Sequence, residues 1–164
     1  MRAIGSVIFG LLVAVASTPL VAGTSPGKAV DALQDAYRNG SVDGMLAAYS
    51  ADATFEDINQ RHRFEGTEQL RLLLGHIVGM HLTMDLVESR RVIDGDTVVV
   101  EYEYRGRLDG AALGASVGKE GCPDLEYVLP ATSWYTVRGG EIVEQKDFID
   151  WATFLELRQQ MLAA

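Results

Sequence analysis

An α+β domain, with helices first and an antiparallel sheet after them, is the fold class this sequence predicts. Two changes in pattern carry that expectation. Apolar residues recur at helical spacing between Val30 and Val78, and from Leu82 onward the period drops to two. Turn signals, Asp94-Gly95 and Gly139-Gly140, then divide the second half at hairpin spacing.

The chain opens with Arg2 and an apolar run over residues 3–16, broken by Ser17, Thr18 and Pro19 ahead of the small residues Val21, Ala22 and Gly23. This order reads as a signal peptide over residues 1–23, with export to the periplasm or medium. The run is short of the roughly 20 apolar residues that span a bilayer, so removal rather than membrane insertion is expected. Residues 24–164 then form one domain. The formal charge falls from −9 to −10, because Arg2 leaves with the signal. That balance disfavours nucleic acid and anionic lipid surfaces as partners. Cys122 has no second cysteine to pair with inside the chain, so stability must come from packing.

Ser25 and Pro26 suit the start of a first helix with Val30, Leu33 and Tyr37 on one side, closing at Asn39-Gly40. Ser41 caps a second, whose Val42, Met45, Leu46 and Tyr49 fall on one face. A short strand is expected over residues 53–57. Gly66 and Thr67 open a third helix with Leu70, Leu73, Leu74, Ile77 and Val78 on one side. Strands follow over residues 83–93, 98–107, 125–137 and 141–149. In the second of these Val98, Val100, Tyr102 and Tyr104 take one face, and Glu101, Glu103, Arg105 and Arg107 the other. Pro130 removes one ladder donor and points to an edge or a bulge. The glycine-rich stretch 106–124 reads as a mobile connection or lid, and Asp150 as the cap of a last helix.

The run Gly40-Ser-Val-Asp-Gly-Met-Leu-Ala-Ala-Tyr-Ser-Ala-Asp-Ala-Thr-Phe-Glu-Asp57, followed by Glu65-Gly66, resembles the opening of SnoaL-like and ketosteroid isomerase-like proteins of the NTF2-like superfamily. Residues 140–150, Gly-Glu-Ile-Val-Glu-Gln-Lys-Asp-Phe-Ile-Asp, resemble the same group's closing strand. The resemblance implies a cone of three helices on a curved antiparallel sheet, a pocket at its wide end, and dimers through the sheet's outer face. It places Asp57 at the general base of the isomerase, whereas Leu33 and Ser133 stand where that enzyme has its oxyanion tyrosine and protonated aspartate. It also sets Asp147 near the acid/base aspartate of SnoaL-type polyketide cyclases.

Asp57 and Asp147 are therefore the candidate catalytic pair, and Tyr49, Phe55, Tyr102, Tyr104, His81, Ser133 and Gln145 the candidate substrate-binding residues. Strand periodicity alone leaves the inward face of residues 141–149 undecided; the family pattern chooses Gln145 and Asp147. The same aspartates also suit plain turns or caps, and the tyrosines plain core packing. His62, His76 and His81 lack metal-ligand spacing, so no metal is expected, and no organic-cofactor fingerprint is present. Trp134 and Trp151 read as packing or dimer residues. Three functions fit: a cofactor-independent acid/base enzyme acting on a small, largely apolar molecule; a module that binds a hydrophobic ligand; or a dimerising partner of another exported protein.

Overall fold

The computed structural model describes residues 25–163; the expected signal segment lies outside them. The chain runs α1 (Pro26–Arg38), α2 (Val42–Leu46), β1 (Tyr49–Asp57), β2 (His62–Glu65), α3 (Gly66–Met80), β3 (His81–Asp94), β4 (Thr97–Leu108), α4 (Gly110–Ala115), β5 (Leu125–Arg138), β6 (Glu141–Ile149) and α5 (Trp151–Ala163). The strands form one curved, unclosed six-stranded sheet in the order β2-β1-β6-β5-β4-β3. All neighbours are antiparallel except β1 and β6, which run parallel.

Local chemistry sets these boundaries. Ser41 Oγ accepts from Gly44 N at 3.0 Å and starts α2, and Gly40 takes the left-handed φ of 61° that ends the preceding helix. Ser25 precedes α1 without a side-chain cap, leaving Pro26 to set the first turn. The inner sheet face and the buried sides of α1, α2 and α3 close over one core built around Val30, Leu33, Met45, Leu70, Leu74 and Val100. A second cluster of Leu108, Leu113, Tyr127, Leu129 and Met161 fills the end covered by α4 and α5.

Four expectations need correction. Tyr49 belongs to β1, since α2 stops at Leu46 and Tyr49 pairs with Ile142. Thus β1 is longer than expected, and the short strand β2 falls between it and α3. Pro130 lies in a central strand with continuous pairing to β4, neither at an edge strand nor in a bulge. Its carbonyl accepts from Asp150 N at 3.1 Å, where β6 has given way to α5, so the missing N–H faces the place where ladder partners run out. The stretch read as a lid contains α4, capped by Asp109, whose side chain accepts from Ala111 N and Ala112 N. Two of its glycines serve close packing: a Cβ at Gly110 would fall 2.1 Å from Pro123 O, and one at Gly114 2.5 Å from Lys119 O.

Candidate functional site

A mostly apolar cavity of about 550 Å³ opens between the sheet, α3, α4 and α5. Of the sequence-predicted residues, Asp57, Asp147, Phe55, Tyr104 and His81 line it, whereas Tyr49, Tyr102, Ser133 and Gln145 are buried behind the wall. Asp57 and Asp147 are in-register partners on the parallel strands β1 and β6. Residues in register on such neighbours point to the same face, with backbones roughly 4.8 Å apart. The topology therefore brings together two carboxylates ninety positions apart in sequence.

A β-bulge makes this placement possible. Between β5 and β6, Thr136 pairs with Glu144 and Val137 with Ile142, so β6 advances two residues while β5 advances one. Ile142 is fully buried before the bulge, and Gln145 (0 % exposed) and Asp147 (1 %) are buried after it, although they have opposite parity in the chain.

The two carboxylates are held in different ways. Asp57 Oδ1 accepts from Gln60 N at 3.0 Å, and Oδ2 accepts from the indole Nε1 of Trp151 at 2.7 Å. Each oxygen is thus engaged by a donor from the turn or from α5. Asp147 takes both of its geometrically close bonds on a single oxygen, Oδ1, from Ser133 Oγ at 2.5 Å and from Gln145 Nε2 at 2.8 Å. The Gln145 amide is fixed by Tyr49, which donates to Oε1. Ser133 has one proton and gives it to Asp147, so the Tyr102 hydroxyl, 2.5 Å away, donates to Ser133. Tyr104 stands 3.1 Å from Tyr102 and also supports the carboxyl of Asp147.

Burial pushes Asp147 from 3.8 up to about 6; the Ser133 and Gln145 bonds oppose the rise, and the negative charge of Asp57 adds to it. Burial likewise holds Tyr37, Tyr49, Tyr102 and Tyr104 well above the ordinary phenol value, so they remain protonated donors. His81 is the first residue of β3. Its Nδ1 lies 2.5 Å from Ile77 O, a carbonyl that only accepts, so Nδ1 carries the proton; burial lowers the imidazole pKa and favours the neutral ring. Among the described residues, no three His, Cys, Asp or Glu side chains gather into a metal-binding group.

Several lining residues were not predicted. Trp151, expected as packing or a dimer contact, does pack edge to face on Phe154 at 5.1 Å, and it also donates to Asp57. Tyr37 lines the cavity from the end of α1, a position its helical stripe made visible. Tyr127 enters from β5, on the same alternation that buries Leu129, Ala131 and Ser133. Met80, Met84 and Leu113 complete the apolar wall.

This is the pocket-and-sheet arrangement of the NTF2-like fold, and the chain belongs to the SnoaL-like domain family, whose pattern matches residues 30–145. No curated protein matches the chain significantly. Among solved structures, a candidate SnoaL-like polyketide cyclase from Shewanella denitrificans OS-217 is similar over 82 % of this chain and 97 % of its own, at 19 % identity and a TM-score of 0.72. TerC, co-crystallised with polyporic acid, is similar over 83 % and 99 % at 18 % identity and a TM-score of 0.67. A protein with a ketosteroid isomerase-like fold from Catenulispora acidiphila DSM 44928, in complex with trimethylamine, is similar over 80 % and 92 % at 20 % identity and a TM-score of 0.66. At these identities the likeness is one of fold.

Proposed function

We propose that the protein is an exported, cofactor-independent acid/base enzyme, of the isomerase, cyclase, dehydratase or hydrolase type, acting on a small, largely apolar molecule. One observation carries the reading: Asp147 sits on the cavity wall with its Oδ1 held by Ser133 and Gln145, and burial there raises its pKa to about 6. A carboxyl group in that range gives and takes protons near neutral pH, as general acid–base catalysis requires. The fold's use by a polyketide cyclase-like neighbour and by one that holds polyporic acid supports the same class.

The roles divide by environment. Asp147 moves the proton. The Ser133–Tyr102 chain and Gln145 steady its Oδ1 in either state, and protonated Tyr104 donates to an oxygen that gains negative charge. Asp57, engaged by Trp151 and Gln60, supplies a fixed neighbouring charge that favours proton retention on Asp147. Substituting Asp147→Asn preserves the acceptor for Ser133 and Gln145 but removes the base, so turnover of a substrate recovered from a metabolite extract should fall about 10²–10⁴-fold while affinity changes far less. Unchanged turnover would show that another group, and not Asp147, moves the proton. The binding-module reading rests on the apolar lining, which asks only for ligand affinity. Dimerisation belongs to the proposal as well: Trp134 and Phe148 are exposed, 51 % and 41 %, on β5 and β6.

A further inference from the structure

The cavity carries negative charge with nothing beside it to balance that charge. Asp57 and Asp147 line it in register on neighbouring strands, and among the described residues no lysine or arginine does. Every hydrogen-bond donor to the two carboxylates is neutral: Gln60 N and Trp151 Nε1 for Asp57, Ser133 Oγ and Gln145 Nε2 for Asp147. Carboxylates this close in a mostly apolar space repel more strongly than they would in water. A proton on Asp147 relieves the repulsion, and so does a ligand cation. A second observation points the same way. The Tyr37 hydroxyl bonds nothing among the described residues, where the sealed side-chain groups without a partner are Gln34 Nε2 and the Tyr127 hydroxyl. It therefore keeps accessible surface, and Tyr37, 3 % exposed, lines the cavity. The negative charge of Asp147 acts on this hydroxyl. A hydroxyl dipole turns its proton toward such a charge, which leaves the oxygen as an acceptor.

We propose that the cavity takes a protonated organic amine, its ammonium group meeting the Asp57 and Asp147 carboxylates and the Tyr37 oxygen, its apolar part lying against Phe55, Phe64, Trp151 and Phe154. This rests on reading the cavity as the substrate site, and it adds that the substrate carries a basic nitrogen beside the centre that Asp147 serves. Aromatic faces attract cations as well as alkyl groups, tryptophan most strongly. Trp151 is the ring bonded to Asp57, at 2.7 Å, and Phe154 stands at 89° to it with centroids 5.1 Å apart. A hard metal ion fits less well, because it asks for about six or more oxygen ligands and this wall is mostly ring and aliphatic carbon. An anion would meet two like charges. The chain's formal charge of −9 also draws cations toward the protein from solution.

The test uses three benzyl alcohols of similar shape, carrying a para dimethylaminomethyl, isobutyl or carboxymethyl group. At about pH 7.5 the amine is protonated, Asp147, with its pKa of about 6, is mostly ionised, and an ordinary imidazole is mostly neutral. Binding is followed by tryptophan fluorescence, since Trp151 lines the cavity. The amine probe should bind about tenfold or more tightly than the isobutyl probe, and the carboxymethyl probe most weakly. In Asp57→Asn/Asp147→Asn the preference for the amine should collapse toward parity while isobutyl affinity holds. Tyr37→Phe should lower amine affinity about threefold or more. Thermal melts confirm that each variant is folded, and the wild-type probe series decides the matter should a variant fail. Equal binding of amine and isobutyl probes, no binding of the amine, or a preference undiminished in the folded double variant overturns the proposal. Turnover enters separately. An amine preference with unchanged turnover in Asp147→Asn keeps the amine site and removes Asp147 as the proton carrier, whereas equal probe binding with turnover lost in that variant does the reverse.

Discussion

Replacing Asp147 with asparagine should stabilise the protein more at about pH 8 than at about pH 4, a direction opposite to that of most buried substitutions. The carboxyl is 1 % exposed and titrates at about 6 in the fold, against 3.8 when free. The folded state therefore holds a proton that the unfolded chain has already lost between these values. With its folded pKa raised, Asp147 contributes stability that is full below about pH 4 and is lost as pH rises through about 6. A difference of about two units corresponds to about 3 kcal/mol. Asparagine cannot ionise, yet it offers the same oxygen to Ser133 Oγ and Gln145 Nε2. Urea unfolding of both proteins at the two pH values gives the quantity directly, because other titrating groups cancel in the difference. An Asn-minus-Asp stability difference that does not change with pH, or that favours asparagine more at low pH than at high, would refute a buried, proton-retaining Asp147.

Further outcomes follow from the same contacts. Trp151→Phe keeps the aromatic stack on Phe154 but removes the donor to Asp57 Oδ2, and it should cost about 1–3 kcal/mol in chemical denaturation, with turnover falling as well. Gly114→Ala drives a Cβ to 2.5 Å from Lys119 O and should destabilise by about 1–3 kcal/mol, readable as a lowered melting temperature. Cys122→Ser, at a half-buried free thiol, should shift stability by less than about 1 kcal/mol; abolished folding would mean that the thiol is core. Intact mass of the secreted protein should show cleavage after Ala22 or Gly23, and a mature mass retaining residues 2–16 contradicts export by signal cleavage.

Much of the fold was legible because its signals are local. The Val98–Tyr104 alternation, the Asp94-Gly95 and Gly139-Gly140 turns and the Ser41 cap each act within a few residues, and the structure uses all of them. What escaped depends on distant partners. The inward face of β6 was unreadable because the bulge near Val143 reverses its parity, which no period of two can express. Tyr49 continued a helical stripe, and only its pairing with Ile142 moves it into β1. Glycines 110 and 114 looked like loop freedom because their reason, the carbonyls of Pro123 and Lys119, lies elsewhere in the chain.

The candidate site divides in the same manner. Asp57 and Asp147 were found through family resemblance, and their adjacency comes from a parallel pairing that sequence does not display. Trp151 gave no signal beyond its helix, since a tryptophan after a cap is usually packing. Tyr127 was visible in principle, on the buried parity of β5, but an unpartnered hydroxyl exists only once Gly106 is placed opposite. Environment, rather than residue type, separates the two aspartates: Asp147 is buried with its pKa raised, and Asp57 accepts from Gln60 and Trp151.

The central claim, that Asp147 is the cavity's proton-exchanging group, is tested most directly by carbon NMR titration of the aspartate carboxyls in wild type and in Asp147→Asn. One wild-type resonance, absent from the variant, should titrate with a midpoint of about 6; if the resonance lost in the variant instead titrates at or below the ordinary aspartate range of about 4, the account is contradicted.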